Sequence, residues 1–504
     1  MSSDSPAEEP FWSIPAEARG GLLLLLALAA ALRFFHIGTQ SLWTDEVYSL
    51  WVIPGGEGGL HHFFKGPLHA VLLLLWSIWG GYGDAWARSL SAVLGLATLP
   101  LLYILGRRLG GHAVGLTAAF LLAVSPFHVW YSQEIRNYSL LMLVAVLSQL
   151  CFLRVLDRGR RRDWVIYGLT VVIALLTNFA GSFLPLGQGL YLLFRRRDLL
   201  ARFLLVQAMG VIALLPWLMN FSTRWSPEMI GRAGALRIVN FHPMALPFSF
   251  SVFSVGFTVG PSLDEMNRAL SLRLLSPFLW YFIPVGLLYA WIVVRGLTAI
   301  RGNREGQGFY ATWIAVPLAL VCVFALINMK VFNVRYMAVA FPGYLVLLAE
   351  GIQAVRRRLR VVLYVLVAAA CSVPLWNLYF VPRYWKPDAR AAVGYVEPQV
   401  RPGDAVRVYS IPQPFQYYFH GEVPAEVIPW GVLAKDENSR RYFDELGRRY
   451  DRLWLIDYRG WYADPEGKLP RLLAERWRLV EEKPFVGVKV MLFARPDSAR
   501  PPGE

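Results

Sequence analysis

Charge is scarce in this chain. Aspartate, glutamate, lysine and arginine make up 17% of its 504 residues, against about 25% in soluble domains. An ordinary soluble protein is thereby excluded, since 56% of the residues are hydrophobic and the mean hydropathy is +0.41. Cysteine is nearly absent. Cys151, Cys322 and Cys371 fall in apolar segments without disulfide or metal-ligand spacing, which leaves them as small core or lipid-facing residues. The tail from Pro382 onward has no glycine-rich phosphate loop and no nucleophile elbow. The chain also lacks the internal repeats that mark the paired halves of many transporters.

What is present is a series of long apolar runs. Residues 21–32, 90–105, 138–153, 280–294, 313–329, 337–348 and 361–375 each approach the ~20 apolar residues that cross a bilayer. The net charge of +15 is concentrated between these runs, at Arg107-Arg108, Arg154 to Arg162, Arg195 to Arg202, Arg295 to Arg304 and Arg356 to Arg360. That is the positive-inside pattern of cytoplasmic loops. Basic residues are not interleaved with stacking aromatics in a soluble stretch, so nucleic-acid binding is excluded. Residues 1–20 are polar, with no small-residue cleavage site after the first run, and the run reads as a retained anchor helix.

The expected architecture is a polytopic all-α membrane protein of about 11–13 transmembrane helices with a C-terminal α/β domain outside the cytoplasm. Residues 1–20 form a cytoplasmic N-terminus. Residues 21–380 form the transmembrane domain, with outer loops 39–66 and 221–276, and 381–504 form the outer α/β domain. Counting 68–79 as a full span gives an even number of crossings, which conflicts with an inside N-terminus and an outside tail. In the long loop, 263–275 reads as a helix, and a loop of this length carries function or covers a cavity. In the tail, helices at 386–396, 438–450 and 469–477 alternate with strands at 405–409, 452–456 and 486–493, the pattern of a small α/β domain.

Polar residues cluster at the outer ends of the spans. Asp45 and Glu46, in Trp43-Thr44-Asp45-Glu46-Val47-Tyr48, are placed to take a proton from an incoming hydroxyl or amine. Asp45 is the candidate base and Glu46 would orient a neighbour. The plainer alternative is that Thr44 or Asp45 caps a short helix over 46–52; both can hold together. Lys65-Gly66-Pro67-Leu68-His69 puts an ammonium and free backbone N–H groups at a helix start, a setting for phosphate. The alternative is a snorkelling lysine. His61, His62 and His69 complete no familiar metal spacing. Tyr131-Ser132-Gln133-Glu134-Ile135-Arg136-Asn137-Tyr138 concentrates hydrogen-bonding groups between apolar spans, where they line a wet cavity or form an ordinary loop with a weak surface ion pair. Arg33, near the outer end of the first run, either snorkels or faces the same cavity. Arg335-Tyr336 is a further candidate for gripping phosphate.

Taken together, these motifs resemble the GT-C glycosyltransferases, in particular the bacterial branch with protein O-mannosyltransferase-like enzymes and the aminoarabinose transferase of lipid A. The resemblance covers nearly the whole chain and is densest over the first 140 residues. It implies transfer of a sugar, with inversion, from a polyprenyl-phosphate donor to an acceptor on the outer face of the bacterial cytoplasmic membrane. Carried over by motif, Asp45 is the catalytic carboxylate and Glu46 its neighbour, while Lys65 contacts the donor phosphate. Gln133, Glu134 and Arg136 lie along the cavity, and Arg33, His69, Tyr138, Arg335 and Tyr336 complete the donor and substrate contacts. Many relatives carry His-Pro-Pro before the second helix, where this chain has Lys65-Gly66-Pro67; a Lys-Pro variant occurs in the aminoarabinose branch.

The expected partners are the lipid-linked donor, a glycan, lipid or protein acceptor, and the bilayer. A divalent cation is optional, because lysines and arginines can neutralise the leaving phosphate. The competing reading is a transporter or lipid-linked glycan flippase with an accessory domain. Transporters place ionisable groups near the bilayer midplane, whereas these crowd the outer ends of spans. An oligosaccharide ligase would share the donor and transfer a whole chain.

Overall fold

The computed structural model describes residues 10–51, 66–223, 244–268, 272–327, 332–433, 436–464 and 466–496. The chain divides into two compact units. One comprises Met1–Ile37, Gly55–Val259 and Phe278–Leu375, the other Gly38–Pro54, Gly260–Pro277 and Trp376–Glu504. Parts of both outer loops read from the sequence therefore fold with the tail.

The first unit is helical. Six helices among the described residues are long and apolar enough to cross a membrane, or seven if the pair His112–Val124 and Pro126–Ser132, bent by 60°, counts as one span. The protein is a multi-pass membrane protein. The sequence expectation is 11–13 spans; further apolar helices among the described residues, Pro67–Gly80 and Ala245–Val255, are shorter. The helix Pro67–Gly80 has 14 residues and is about 21 Å long, against a hydrocarbon core of about 30 Å. The run 337–348 begins in a 3-10 turn, Val334–Met337, and only Phe341–Gln353 is α-helical. The helix Ala16–Phe34 carries Glu17, Arg19 and Arg33.

The core of this unit forms where the helix Asp84–Gly110 packs against His112–Val124 and Tyr138–Arg158. Small residues permit the closest approach: a Cβ on Gly106 would meet Gly115 Cα at 2.9 Å, and one on Gly115 would meet the Tyr103 carbonyl at 2.5 Å. In lipid, where no hydrophobic effect drives helices together, such close packing supplies the attraction. The 60° bend follows from Pro126, which cannot continue the preceding hydrogen-bond ladder. Ser125 then caps the new helix, its Oγ accepting from His128 N at 3.2 Å. Around the bend Phe127 packs on Phe253, Phe257 and Phe341, with ring centroids 4.7–5.9 Å apart.

The second unit is built on a five-stranded sheet with strand order β2-β1-β3-β5-β4, where β1 is Asp404–Ser410, β2 Ala425–Val427, β3 Arg452–Tyr458, β4 Arg478–Phe485 and β5 Val488–Ala494. β1 runs parallel to β2 and β3, and β5 runs antiparallel to β3 and β4. Alternate residues serve opposite faces, as the pleat requires. Val406, Val408, Trp454 and Ile456 join a core with the helix Ala389–Val396. Ala405, Tyr409, Leu453 and Leu455 join a second core with Phe443, Leu446, Leu469 and Leu473. β4 is one of the two edge strands, and all but its last residue are exposed. Its Glu481, Glu482, Lys483 and Pro484 are the residues that keep an edge from pairing with other chains.

Of the expected helix 263–275, Leu263–Arg268 is α-helical and a 3-10 segment covers Leu272–Phe278. The tail's helices Ala389–Val396, Asp436–Arg449 and Lys468–Ala474 fall where the sequence places them.

Candidate functional site

In the second unit the two adjacent acids lie in the first turn of the helix Thr44–Trp51, which begins two residues before the expected 46–52, so Thr44 and Asp45 lie inside it. Glu46 reaches back to the helix start, its Oε2 accepting from Trp43 N at 3.3 Å. Its side chain is fully buried and pairs with Lys386 Nζ at 3.0 Å, the lysine side chain being only 9% exposed. Asp45, one position earlier, is half-buried, and its carbonyl accepts from Ser49 Oγ at 2.9 Å. Burial and, after it, the Asp45 charge push the Tyr48 phenol above its ordinary value, against a hydrogen bond with Gln413 that lowers it.

The segment leading into this helix is tied down residue by residue. Ser41 Oγ donates to Asp388 at 2.5 Å, Leu42 N donates to Tyr418 Oη at 2.9 Å, and Arg390 donates to the Thr39 carbonyl at 2.7 Å. Nearby, β1 ends in the left-handed Ser410 (φ 79°) and β3 is followed by the left-handed Arg459 (φ 52°), the two joined by a Ser410 Oγ bond to the Arg459 carbonyl at 3.2 Å. The strand order reverses between β1 and β3, the point where open α/β sheets bind ligands at strand carboxyl ends. Tyr458, the last residue of β3, is 1% exposed, and its phenol has no hydrogen-bond partner among the described residues. Glu46, Asp264 and Asp388 all act on it electrostatically.

The first unit gathers a different set. Glu134, Tyr138, Arg335 and Tyr336 all lie within electrostatic reach of the buried Tyr131 phenol. The Arg335 guanidinium carbon sits 5.9 Å from the Tyr138 ring centroid and 5.5 Å from that of Tyr336, within cation–π range. Tyr336 in turn packs on Phe179 at 5.0 Å. His69 is 5% exposed and lies within electrostatic reach of Arg136; its Nε2 has no hydrogen-bond partner among the described residues. The start of its helix is seated closely, because a Cβ on Gly66 would meet Asn137 Nδ2 at 2.5 Å. Asn137 donates to the Thr177 carbonyl at 2.8 Å and accepts from Asn178.

Two candidates from the sequence serve the chain itself in this structure. Arg33 is fully buried and donates to the carbonyls of Ala29, Leu122 and Ala123 and to His128 Nδ1, at 2.9–3.2 Å. It thus satisfies the open C-terminal carbonyls of the helix His112–Val124. Gln133 Nε2 donates to the Arg33 and Phe35 carbonyls at 3.1 and 2.8 Å, closing the end of the first helix. Lys65 lies outside the described residues. Sequence reasoning missed Lys386, Tyr418, Tyr458 and His128. A signal for the first lay in Tyr384-Trp385-Lys386-Pro387-Asp388, a lysine between tryptophan and proline just beyond the last apolar run. Among the described residues, no group of three or more His, Cys, Asp or Glu is placed to hold a metal ion.

Comparison with known proteins places this architecture. Residues 65–220 match the family model for dolichyl-phosphate-mannose-protein mannosyltransferase. The chain has the fold of the GT-C superfamily of membrane glycosyltransferases. Among solved structures it is similar to ArnT from Cupriavidus metallidurans bound to undecaprenyl phosphate, with a TM-score of 0.61 at 15% identity, covering 96% of this chain and 100% of that one. It is similar to the archaeal oligosaccharyltransferase AglB from Archaeoglobus fulgidus, in complex with an inhibitory peptide and a dolichol-phosphate, with a TM-score of 0.55 at 14% identity, covering 97% of this chain and 75% of that one. The arabinofuranosyltransferase AftD from Mycobacteria matches with a TM-score of 0.50 at 16% identity, over 96% of this chain and 40% of that one. A comparison with curated protein sequences gives no match.

Proposed function

We propose that this protein is an inverting glycosyltransferase that moves a sugar from a polyprenyl-phosphate donor to an acceptor on the outer face of the bacterial cytoplasmic membrane. The observation that carries the reading is end-to-end similarity in fold to an enzyme solved with undecaprenyl phosphate, combined with a carboxylate pair of which one member is buried in an ion pair and the other is not fully buried. Inversion takes place by a single displacement. A base draws the proton from the acceptor while the phosphate leaves from the opposite face of the sugar. Asp45 is the candidate base. Negative charge grows on the leaving phosphate, and fixed cations stabilise it more in the transition state than in the ground state. Arg136, Arg335 and Lys65 are the candidates for that task, with His69, Glu134, Tyr138 and Tyr336 as further substrate contacts. No metal is needed for this chemistry, though a divalent cation could share it.

The test compares membranes containing the wild-type protein or Asp45→Asn at equal abundance. They are incubated with radiolabelled polyprenyl-phosphate sugars and envelope acceptors from the host. The expected result is transfer by the wild type that falls by about 10²–10⁴-fold in the variant, the usual contribution of a general base. Undiminished transfer by Asp45→Asn would remove Asp45 from the role.

A further inference from the structure

Adjacent positions on an α-helix point about 100° apart, so Asp45 and Glu46 face different surroundings. Glu46 is fully buried, and a carboxylate buried without a counter-charge would take up a proton or disturb the acid beside it. Its immediate setting is acidic: Asp264 and Asp388 act on the same Tyr458 phenol as Glu46 does. The other charges there are already matched. Arg459 faces Asp264 at 3.4 Å, and Asp388 accepts from Ser41 Oγ and caps the helix Ala389–Val396 through Ala391 N. Lys386 places a cation against Glu46, at 3.0 Å. Tyr48 lies within electrostatic reach of Asp45.

The lysine is held in place by its own backbone. Lys386 N donates to Gln40 Oε1 at 3.1 Å, and Gln40 Nε2 donates to the Leu378 carbonyl at 3.1 Å. Pro387 follows directly and biases Lys386 toward extended backbone. The stretches 38–42 and 386–390 are thus laced together by main-chain and side-chain bonds, and the ammonium is aimed at Glu46 by a rigid frame.

We propose that Lys386 is a positioning residue for the transfer reaction: its ammonium holds Glu46 in a buried ion pair, so that Asp45 is the member of the acidic pair that meets the acceptor. The inference rests on the reading of Asp45 as the base and adds to it a residue from the tail. It makes the second unit part of the catalytic apparatus, because residues 386–390 supply the carboxylate helix with a counter-charge and hold the segment 38–41 that leads into it.

The test uses the full-length protein in nanodiscs and two readouts. The first is labelling by a hydrophobic carbodiimide, which reacts with protonated carboxyl groups, read peptide by peptide across pH 5–9 by mass spectrometry. The wild type is expected to leave Glu46 unlabelled at neutral pH. Lys386→Met is expected to move the labelling midpoint of Glu46 up by about 1–3 pH units, the effect of removing an opposite charge at this distance, and Lys386→Arg to restore protection. The second readout is the acid limb of the transfer rate. Lys386→Met removes positive charge near Asp45, so the limb moves to higher pH. Glu46→Gln leaves the ammonium unmatched and moves it to lower pH, and the double variant Glu46→Gln/Lys386→Met brings it back. If Lys386→Met does not fold, the downward shift in Glu46→Gln and its reversal in the double variant carry the test. Unchanged Glu46 labelling in a folded Lys386→Met protein, or single variants that shift the limb in the same direction, would overturn the proposal. Loss of the base reading is separate: Asp45→Asn would then retain transfer, while Glu46 labelling would still report the ion pair.

Discussion

Arg33 in the helical unit and Glu46 in the α/β unit are both fully buried charges, and they are satisfied in opposite ways. Arg33 gives its guanidinium to three backbone carbonyls and a histidine, all groups of the scaffold. Glu46 pairs with the ammonium of residue 386 and accepts from Trp43 N, and its neighbour Asp45 is half-buried. The first arrangement closes a helix end in a medium without water to do so. The second separates the fates of two adjacent acids. A buried charge bound to main-chain carbonyls closes a helix end, and one bound to a distant side chain ties two segments of the chain together.

Substitution should break this comparison most visibly at Arg33. Arg33→Leu takes the Arg33 donor from the Ala123 carbonyl and leaves the Leu122 carbonyl only its long bond from Ser125 N at 3.4 Å, at about 1–3 kcal/mol for a buried group left unsatisfied. The expected outcome is a large fall in the thermal midpoint of the purified protein and in its yield as a monodisperse species. Asp45→Asn, by contrast, should leave both unchanged while abolishing transfer. A normal midpoint for Arg33→Leu would show that the guanidinium is not structural.

A smaller effect is expected from Gly115→Ala. Its new methyl group would press on the Tyr103 carbonyl, and overpacking of this kind costs about 1–3 kcal/mol. Thermal unfolding should register it in the helical unit, with transfer by the surviving folded protein unaltered. The smallest effect belongs to Glu265. Burial raises its carboxyl, but hydrogen bonds from Arg383 and Ser262 outweigh that and leave it below the ordinary value. A carboxylate depressed on folding adds stability above its unfolded value of about 4.3, and that stability is lost as pH falls through the folded value. The pair is substantially exposed, so Arg383→Gln should change stability by less than about 1 kcal/mol at neutral pH, and the difference should vanish in acid.

Much of the molecule was legible in the sequence because its signals are strong and local. Long apolar runs and basic loops identify a multi-pass protein, and the tail's β3 and β5 follow from short apolar stretches between turns. The less legible parts depend on contacts distant in sequence. Charge at the outer end of an apolar run says that Arg33 must be satisfied, but not that carbonyls some 90 residues away satisfy it. Likewise Gln133 looks like a cavity residue until the end of the first helix is placed beside it. β4 was missed because an edge strand protected by charge loses its apolar alternation, and Ala425–Val427 because three residues give no period to read. Lys386 was hidden for the reason that makes it informative: its partner lies 340 positions earlier.

The central claim concerns Asp45, and donor binding measured alongside transfer tests it most directly. Purified wild type and Asp45→Asn would be titrated with undecaprenyl phosphate, reading thermal stabilisation, and then assayed for a single turnover of the labelled donor identified in the membrane assay. The account predicts equal stabilisation by the lipid phosphate and turnover lost only in the variant, because the carboxylate acts on the acceptor proton and the cations act on the phosphate. Turnover at the wild-type rate in a folded Asp45→Asn protein would contradict it.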